Sequence, residues 1–511
     1  MRVAGEGFRA HLGFGGEDVE EPVPLERVEL PRARLQAPSG LAGICSSGTY
    51  DRASHAYGKG YRDVVRGFRG RFDHAPDVVA FPRDAGEVEA LLDWCADRGA
   101  AAIPYGGGTS VVGGVEAAVG DGYAGAVTID LGRLNRVLEV DRESRAALIQ
   151  AGATGPELED QLREHDLTLR HFPQSFQLST LGGWIATRAG GHFATLYTHI
   201  DDLVESITAV TPSGTIETRR VPGSGAGPSP DRMLIGSEGI LGVITQAWVR
   251  LQDRPAHKAS AAVTFGDLAQ GAGAVRALGQ SGLYPTNCRL LDPGEAALTG
   301  ASQDGALLVL GFESADHPVD AWMDRALELA QDHGGTTADR RQAGDRVGSG
   351  TGDSVGTWRE VFLRAPYLRD TFVACGVISE TFETAVTWDR FASLHESVIG
   401  ATEGALAQIC GGGRVMCRFT HVYPDGPAPY FTVLAPARRG SEIEQWDTIK
   451  AAASEAIINA GGTITHHHAV GRDHRPWYDR QRPPAFADAL RAAKRALDPG
   501  AVLNPGVLID P

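Results

Sequence analysis

The chain has 511 residues, 42% of them hydrophobic, and carries 48 Lys and Arg against 64 Asp and Glu, a formal net charge of −16. That length exceeds one ordinary hydrophobic core and predicts two domains with appendages. The acidic balance argues against a nucleic-acid partner, which would need a basic face, though a local basic patch for lipid headgroups stays open. Cys45, Cys95, Cys288, Cys375, Cys410 and Cys417 form no C-x-x-C pair, so reduced thiols in a cytoplasmic protein are expected. No run approaches the about 20 apolar residues that span a bilayer, and the first 21 residues lack a signal-peptide core. The expectation is a soluble chain, at most peripheral to a membrane.

Residues 1–70 are rich in glycine, proline and charge and predict an irregular N-terminal extension packed on the rest. From residue 76 strand and helix signals alternate: a helix over 87–98, strands over 127–131 and 146–151, and a Thr154/Glu157 capping box opening a helix to about 165. Strands over 202–210 and 215–218 flank a Pro-Ser-Gly hairpin signal, and 221–230 is a surface loop. After residue 251 come strands over 257–265, 287–291 and 306–312 with helices over 267–279 and 319–333. A second round follows, with strands over 414–422 and 430–434, a helix over 442–459 and a strand over 463–468. The polar, glycine-rich stretch 334–356 predicts a loop near the substrate, and 484–511 carry a helix and an LNPG turn.

Three glycine-rich segments recur in order: IPYGGGTS at 103–110, STLGGWIATRAGG at 179–191 and GSEGILGVIT at 236–245. Glycine lets backbone N–H groups turn inward with no Cβ in the way, and concave arrays of such donors bind phosphate oxygens. The contiguous glycines are not the G-x-G-x-x-G fingerprint, which argues against a Rossmann domain.

Together with PDVVAFP (76–82), AGATG (151–155) and LDPGAVLNPG (497–506), these segments resemble the vanillyl-alcohol-oxidase class of FAD-binding flavoproteins from roughly residue 50 onward. The resemblance implies an α+β fold: a two-subdomain, PCMH-type FAD-binding domain over 71–253 behind the 1–70 extension, an α/β cap (substrate) domain over 254–475, and a C-terminal segment, 476–511, returning to the FAD domain. It implies cofactor contacts from Pro104, Tyr105, Gly106, Gly107, Gly108, Thr109 and Ser110, and from Gln174, Ser175, Ser179, Thr180, Gly182, Gly183, Thr187, Arg188 and Ala189. Glu238, Gly239, Leu241, Gly242, Val243 and Ile244 complete the set. Because Gly108 stands where tethering relatives carry histidine, FAD is expected to be non-covalent.

His466, His467 and His468 form the most unusual run. On a strand, alternation would set His467 on the face opposite His466 and His468, so the three would not converge on one ion, and no metal is expected. A structural cluster and acid–base work both remain open, histidine suiting the latter because it titrates near neutrality. With PYF at 429–431, PYLRD at 366–370 and SETFETAVTWDR at 379–390, the run resembles that of the alkyldihydroxyacetonephosphate synthases. The resemblance implies an FAD enzyme of ether-lipid synthesis that exchanges an acyl group for a fatty alcohol without net redox. It makes Arg369 the phosphate ligand, Tyr430 a proton-transfer group, His466 to His468 the catalytic histidines and Arg289 a further residue needed for activity. A lipid substrate and a homodimer come with it.

Read without the family, Arg369 could pair with Asp370 and Tyr430 could simply pack. Phe382, Trp388 and Phe391 read as core, and Glu380 and Glu383 as solvent-facing or locally paired. The DPGAVLNPG ending also resembles the FAD-dependent 2-hydroxy-acid dehydrogenases and oxidases, the alternative activity. Those enzymes carry a GDGN-like histidine motif where this chain has THVYPDGPAPYF, which leaves the role of His421 open.

Overall fold

The computed structural model describes residues 12–16, 18–193, 199–300, 302, 305–342 and 368–510. The chain forms two compact units, one of residues 22–191, 199–252 and 467–511, the other of residues 1–21, 192–198 and 253–466.

Two larger sheets lie in the first unit. In one, Cys45–Ser46 pairs with Val78–Ala80, followed by Ala126–Asp130 and Ala101–Tyr105 in parallel. The crossover helix Ala85–Arg98 is set at its start by Asp84, whose carboxylate accepts from Glu87 N–H, and at its end by Gly99 in the left-handed region (φ 60°). The other sheet is antiparallel, in the order Val137–Asp141, Ala146–Gln150, Val243–Arg250, Val204–Thr211, Gly214–Glu217. Its last two strands are the expected Pro-Ser-Gly hairpin. The expected capping box is present: the Thr154 N–H and hydroxyl both donate to Glu157, at 2.9 and 2.7 Å. One aliphatic core joins both sheets, running from Val78 and Val127 through Ile149, Ile207 and Val249 to Leu503 and Ile509. The C-terminal segment enters it by bridging the edge strand, Ala102 N–H donating to Val502 O at 2.8 Å and Asn504 N–H to Ala102 O at 2.9 Å.

Residues 22–70 are irregular only in part. They include the helices Thr49–Ser54 and Tyr61–Phe68. Several of their charges face inward, where Arg66 pairs with Asp63 (2.6 Å) and Glu116 (2.7 Å), and Arg62 with Asp473 (2.7 Å). Burial pushes the Glu116 carboxyl up, but hydrogen bonds from His74 and Arg66 and the charges of Arg66 and Arg62 bring it down to about 2.

The second unit is built on a seven-stranded, all-antiparallel sheet in the order Thr336–Gln342, His257–Phe265, Ala306–Ser314, Asn287–Leu291, Arg414–Val422, Pro427–Pro436, Val377–Glu383. Its first four strands, with the helices Leu268–Gln280 and Asp320–Asp332, make a complete split β-α-β-β-α-β motif. The second round repeats that order with Val377–Glu383, helix Trp388–Cys410, Arg414–Val422, Pro427–Pro436 and helix Glu442–Asn459, and then stops one strand short.

Two expectations are corrected here. Thr336–Gln342, inside the predicted 334–356 loop, is an edge strand on His257–Phe265, while 343–356 lie outside the described residues. The predicted strand over 463–468 is a loop. The buried Glu383 carboxylate accepts the Thr465 hydroxyl at 2.6 Å and the His466 N–H at 2.7 Å, so a side chain supplies the acceptors that a neighbouring strand would have offered.

Phe382 and Phe391 are core, as expected, Phe382 stacking on Phe431 with ring centroids 5.1 Å apart. Glu380 and Glu383, by contrast, are buried. Glu380 is held across a long stretch of sequence by Lys450 Nζ (3.0 Å) and Trp446 Nε1 (2.6 Å) on helix Glu442–Asn459. All six cysteines are free. Among the described residues no helix is long and apolar enough to cross a membrane.

Breaking the Glu380–Lys450 pair from one side leaves a buried charge uncompensated. Lys450→Met should therefore destabilise the protein by about 3 kcal/mol, and Glu380→Gln combined with Lys450→Met should recover most of the loss. Denaturant unfolding followed by tryptophan fluorescence measures both; equal stabilities for the single and double variants would contradict the account.

Candidate functional site

The first unit contains a cleft with about 640 Å³ of empty space, part of it open to solvent. The three glycine segments line it, through Pro104, Tyr105, Gly106 and Ser110, then Thr180, Gly182, Gly183 and Thr187, then Glu238, Gly239, Gly242 and Ile244. Gly114, Val115, Leu131, Ala186 and Ala469 complete the wall; the sequence reading missed these five. Ala469 carried a signal, since it directly follows the histidine run.

The glycines are there for close approach. A Cβ on Gly107 would lie 1.8 Å from Leu178 O, one on Gly106 would lie 2.3 Å from Thr180 Oγ1, and one on Gly182 would lie 2.7 Å from Ala151 Cβ. Backbone therefore packs directly on backbone and on small side chains. Gly108 is held at φ +61°, and the space its side chain would take is filled by the Tyr105 hydroxyl, 1.9 Å from that Cβ position. Tyr105 is itself buried, which pushes its phenol well above the ordinary range. Its ring tilts against His55 at 4.6 Å, and His55 Nε2 pairs with Asp130 at 2.8 Å.

The remaining expected cofactor residues occupy varied places. Gly107, Gly108 and Thr109 belong to the loop behind the lining, and Gln174 and Ser175 are half-buried on the loop before the second segment. Ser179 accepts from Trp184 Nε1 at 2.7 Å and donates to Ser175 O at 3.0 Å. Arg188 pairs with Asp201 at 2.7 Å, while Ala189, Leu241 and Val243 are core.

Glu238 (φ +48°) is the most constrained residue of the cleft. Its N–H donates to Ala186 O at 2.9 Å, and its carbonyl accepts from the Asn504 amide, which also donates to Gly114 O. Its carboxyl accepts the N–H groups of Val470 (2.9 Å) and Gly471 (2.8 Å). The segment it anchors follows His467 and His468, whose rings lie 4.9 Å apart. Burial raises the Glu238 carboxyl to about 7, against the pull of the two N–H groups.

In the second unit, sheet register assembles a polar face. Glu383 lies opposite Tyr430, Tyr430 opposite Arg418, and Arg418 opposite Leu291, two residues along the same strand from Arg289. Arg418 is buried, forms a short ion pair with Glu295 and lies 3.9 Å over the Tyr430 ring. Arg289 is 2% exposed; burial and the neighbouring Arg418 push its guanidinium down to about 9. A bulge between Phe419 and His421 restores the face, so that Arg418 and His421 share it despite their odd spacing. The His421 ring lies 4.9 Å from that of His466, and the Tyr423 hydroxyl lies 2.8 Å from His466 Nε2.

Tyr430, Arg289 and His466 are thus brought onto one face. Arg369 stands apart on another element, half-buried at the start of the helix Arg369–Ala374, with residues 366 and 367 of its motif outside the described residues. Glu295, Glu383, Arg418 and Tyr423 were missed as site residues, because only partners distant in sequence gather them, by strand register for Glu383 and Arg418 and by side-chain contact for Glu295 and Tyr423.

The chemistry of the cleft fits a flavin dinucleotide: apolar walls at Pro104, Val115, Leu131 and Ile244 suit a planar ring, and glycine backbone with the Ser110, Thr180 and Thr187 hydroxyls suits a diphosphate. Residues 76–219 match the family model "FAD binding domain", and residues 254–508 match "FAD linked oxidases, C-terminal domain". Fold and site define an FAD-binding flavoprotein of the FAD-linked oxidase class.

Among its relatives, the alkyldihydroxyacetonephosphate synthase of Dictyostelium discoideum is 31% identical, over 90% of this chain and 77% of that protein. That of Trypanosoma brucei brucei is 29% identical over the same shares. A solved alkyldihydroxyacetonephosphate synthase superposes with a TM-score of 0.80 at 27% identity, covering 98% of this chain and 92% of that one. The chain belongs to the alkyldihydroxyacetonephosphate synthase family.

The raised Glu238 carboxyl has a pH signature. Between its ordinary value and about 7 the folded protein holds a proton that the unfolded chain has released, so stability falls as pH rises through that window. Glu238→Gln removes this slope, and its thermal midpoint should gain on the wild type's from about pH 5 to about pH 8. Parallel curves would show that Glu238 does not titrate there.

Proposed function

We propose that the protein is an FAD-dependent transferase that exchanges the acyl group of acyl-dihydroxyacetone phosphate for a fatty alcohol. The observation that carries this reading is the polar face of the cap, on which Arg289, Tyr430 and His466 stand with Arg418 and Glu383, in a chain whose relatives are named for that reaction. The bond from the substrate carbon to the ester oxygen breaks, a carboxylate leaves, and the alcohol oxygen forms the new bond; the alcohol's proton is lost and no electrons are transferred overall. When bound, FAD supplies the nucleophile and electron sink that let a carbon–oxygen bond beside a ketone exchange without oxidation. Arg369 holds the phosphate through a charged, forked set of donors. Tyr430 and the histidine run move the protons that the leaving and entering oxygens require. The reading carries with it the cap as substrate domain over 254–475, the FAD domain over 71–253, and a cytoplasmic homodimer that meets membranes peripherally to reach its lipid.

FAD is held without a covalent bond in this proposal, because the Tyr105 hydroxyl occupies the side-chain space at Gly108. Acid precipitation should release the yellow colour to the supernatant; flavin retained on the pellet would overturn it.

Acyl-dihydroxyacetone phosphate should perturb the flavin spectrum and release fatty acid, and a long-chain alcohol should then give an ether with no electron acceptor consumed. Tyr430→Phe and His467→Ala should keep FAD while losing about a hundredfold in turnover. Arg369→Ala should weaken substrate binding, with Arg369→Lys recovering part. Anaerobic bleaching by D-lactate or glycolate, with dye reduction and no ether, would instead make the protein a 2-hydroxy-acid dehydrogenase.

A further inference from the structure

The histidine run leaves the cap sheet at a point where three other side chains hold it. The Glu383 carboxylate, 1% exposed, accepts the Thr465 hydroxyl through Oε1 (2.6 Å) and the His466 N–H through Oε2 (2.7 Å), which fixes the backbone and so the origin of the ring. The same Oε2 lies 3.8 Å from His466 Nδ1, and the opposite ring nitrogen, Nε2, lies 2.8 Å from the Tyr423 hydroxyl.

These contacts are not symmetrical in what they accept. A carboxylate oxygen only accepts, whereas a phenol can either donate or accept. At 3.8 Å the carboxylate is beyond hydrogen-bond reach of Nδ1, but its charge favours the ring proton on that nitrogen, and Nε2 is left as the acceptor of the Tyr423 O–H. Burial of the His466 side chain, 7% exposed, strengthens both preferences. The His421 ring, 4.9 Å away at 35°, flanks the same imidazole and limits its rotation. The second phenol of this face, Tyr430, is engaged elsewhere, beneath the Arg418 guanidinium, so the two tyrosines are not duplicates.

We infer that Tyr423 and Glu383 are positioning residues that hold His466 in its Nδ1–H tautomer, with Nε2 as the nitrogen that exchanges a proton through the Tyr423 hydroxyl. The inference rests on the reading that His466 handles a proton in the proposed exchange. It adds two residues to the site and assigns separate work to its two tyrosines.

The test uses the full-length protein with FAD bound and histidine labelled with nitrogen-15. Signals of the His466 ring are identified by their loss in His466→Asn. The wild type should show a single tautomer protonated on Nδ1, and Tyr423→Phe, which keeps the ring and removes only the hydroxyl, should shift the Nε2 signal as that nitrogen loses its hydrogen bond, with Nδ1 still protonated. Acyl–alcohol exchange by Tyr423→Phe should fall about tenfold at unchanged KM, the loss expected for one hydrogen bond. Glu383→Gln should likewise move the His466 signals; if it fails to fold, Tyr423→Phe alone decides. Identical His466 signals in wild type and Tyr423→Phe would overturn the inference. A shifted Nε2 signal in Tyr423→Phe combined with full turnover in His466→Asn would overturn the assignment of His466 to the reaction, a separate failure.

Discussion

The cleft exists because residues 105–108 lie directly against the backbone of residues 178–180. With a Cβ position on Gly107 falling 1.8 Å from Leu178 O, no side chain is compatible with that approach. The other parts of the cofactor unit follow from it. The second glycine segment starts its helix, Leu181–Thr187, from Thr180, whose hydroxyl accepts from Gly183 N–H. The end of that helix receives Glu238 N–H on Ala186 O, and Glu238 in turn holds residues 470 and 471. A single steric requirement thus propagates through three segments far apart in sequence, with hydrogen bonds fixing each step.

Much of this was legible in the chain. A capping box and a Pro-Ser-Gly turn act over a few residues, so the helix opened by Thr154 and the hairpin after Thr211 could be read directly. What could not be read depends on partners distant in sequence. Glu380 and Glu383 look like surface charges until Lys450, Trp446, Thr465 and His466 arrive beside them. Arg418 looks like one more strand residue until the register sets it over Tyr430. The charges of the N-terminal stretch could be counted from composition, but not that Arg66 and Arg62 would pair with Glu116 and Asp473.

The cap shows how a repeated plan can be altered for use. Its first round closes with the edge strand Thr336–Gln342, whereas the second has no such strand. Where that strand would begin, the chain carries Thr465 and His466 onto Glu383 instead. A strand in that place would have alternated the histidines between two faces and committed their N–H groups to a neighbour. The loop directs His466 toward Tyr423 and leaves the following residues free of sheet geometry. Fold and chemistry therefore meet at one omission from an otherwise regular architecture.

The order in which the chain visits its two units bears on biosynthesis. Residues 22–252 supply nearly all of the cofactor unit, yet the bridge of Val502 and Asn504 to Ala102, and the Asn504 clamp on Glu238 and Gly114, come from the other end of the chain. The ribosome must finish the entire cap before those contacts can form. Until then the sheet edge at Ala102 and the carbonyl of Glu238 lack those partners, so the cofactor unit is completed only after the cap has been synthesised.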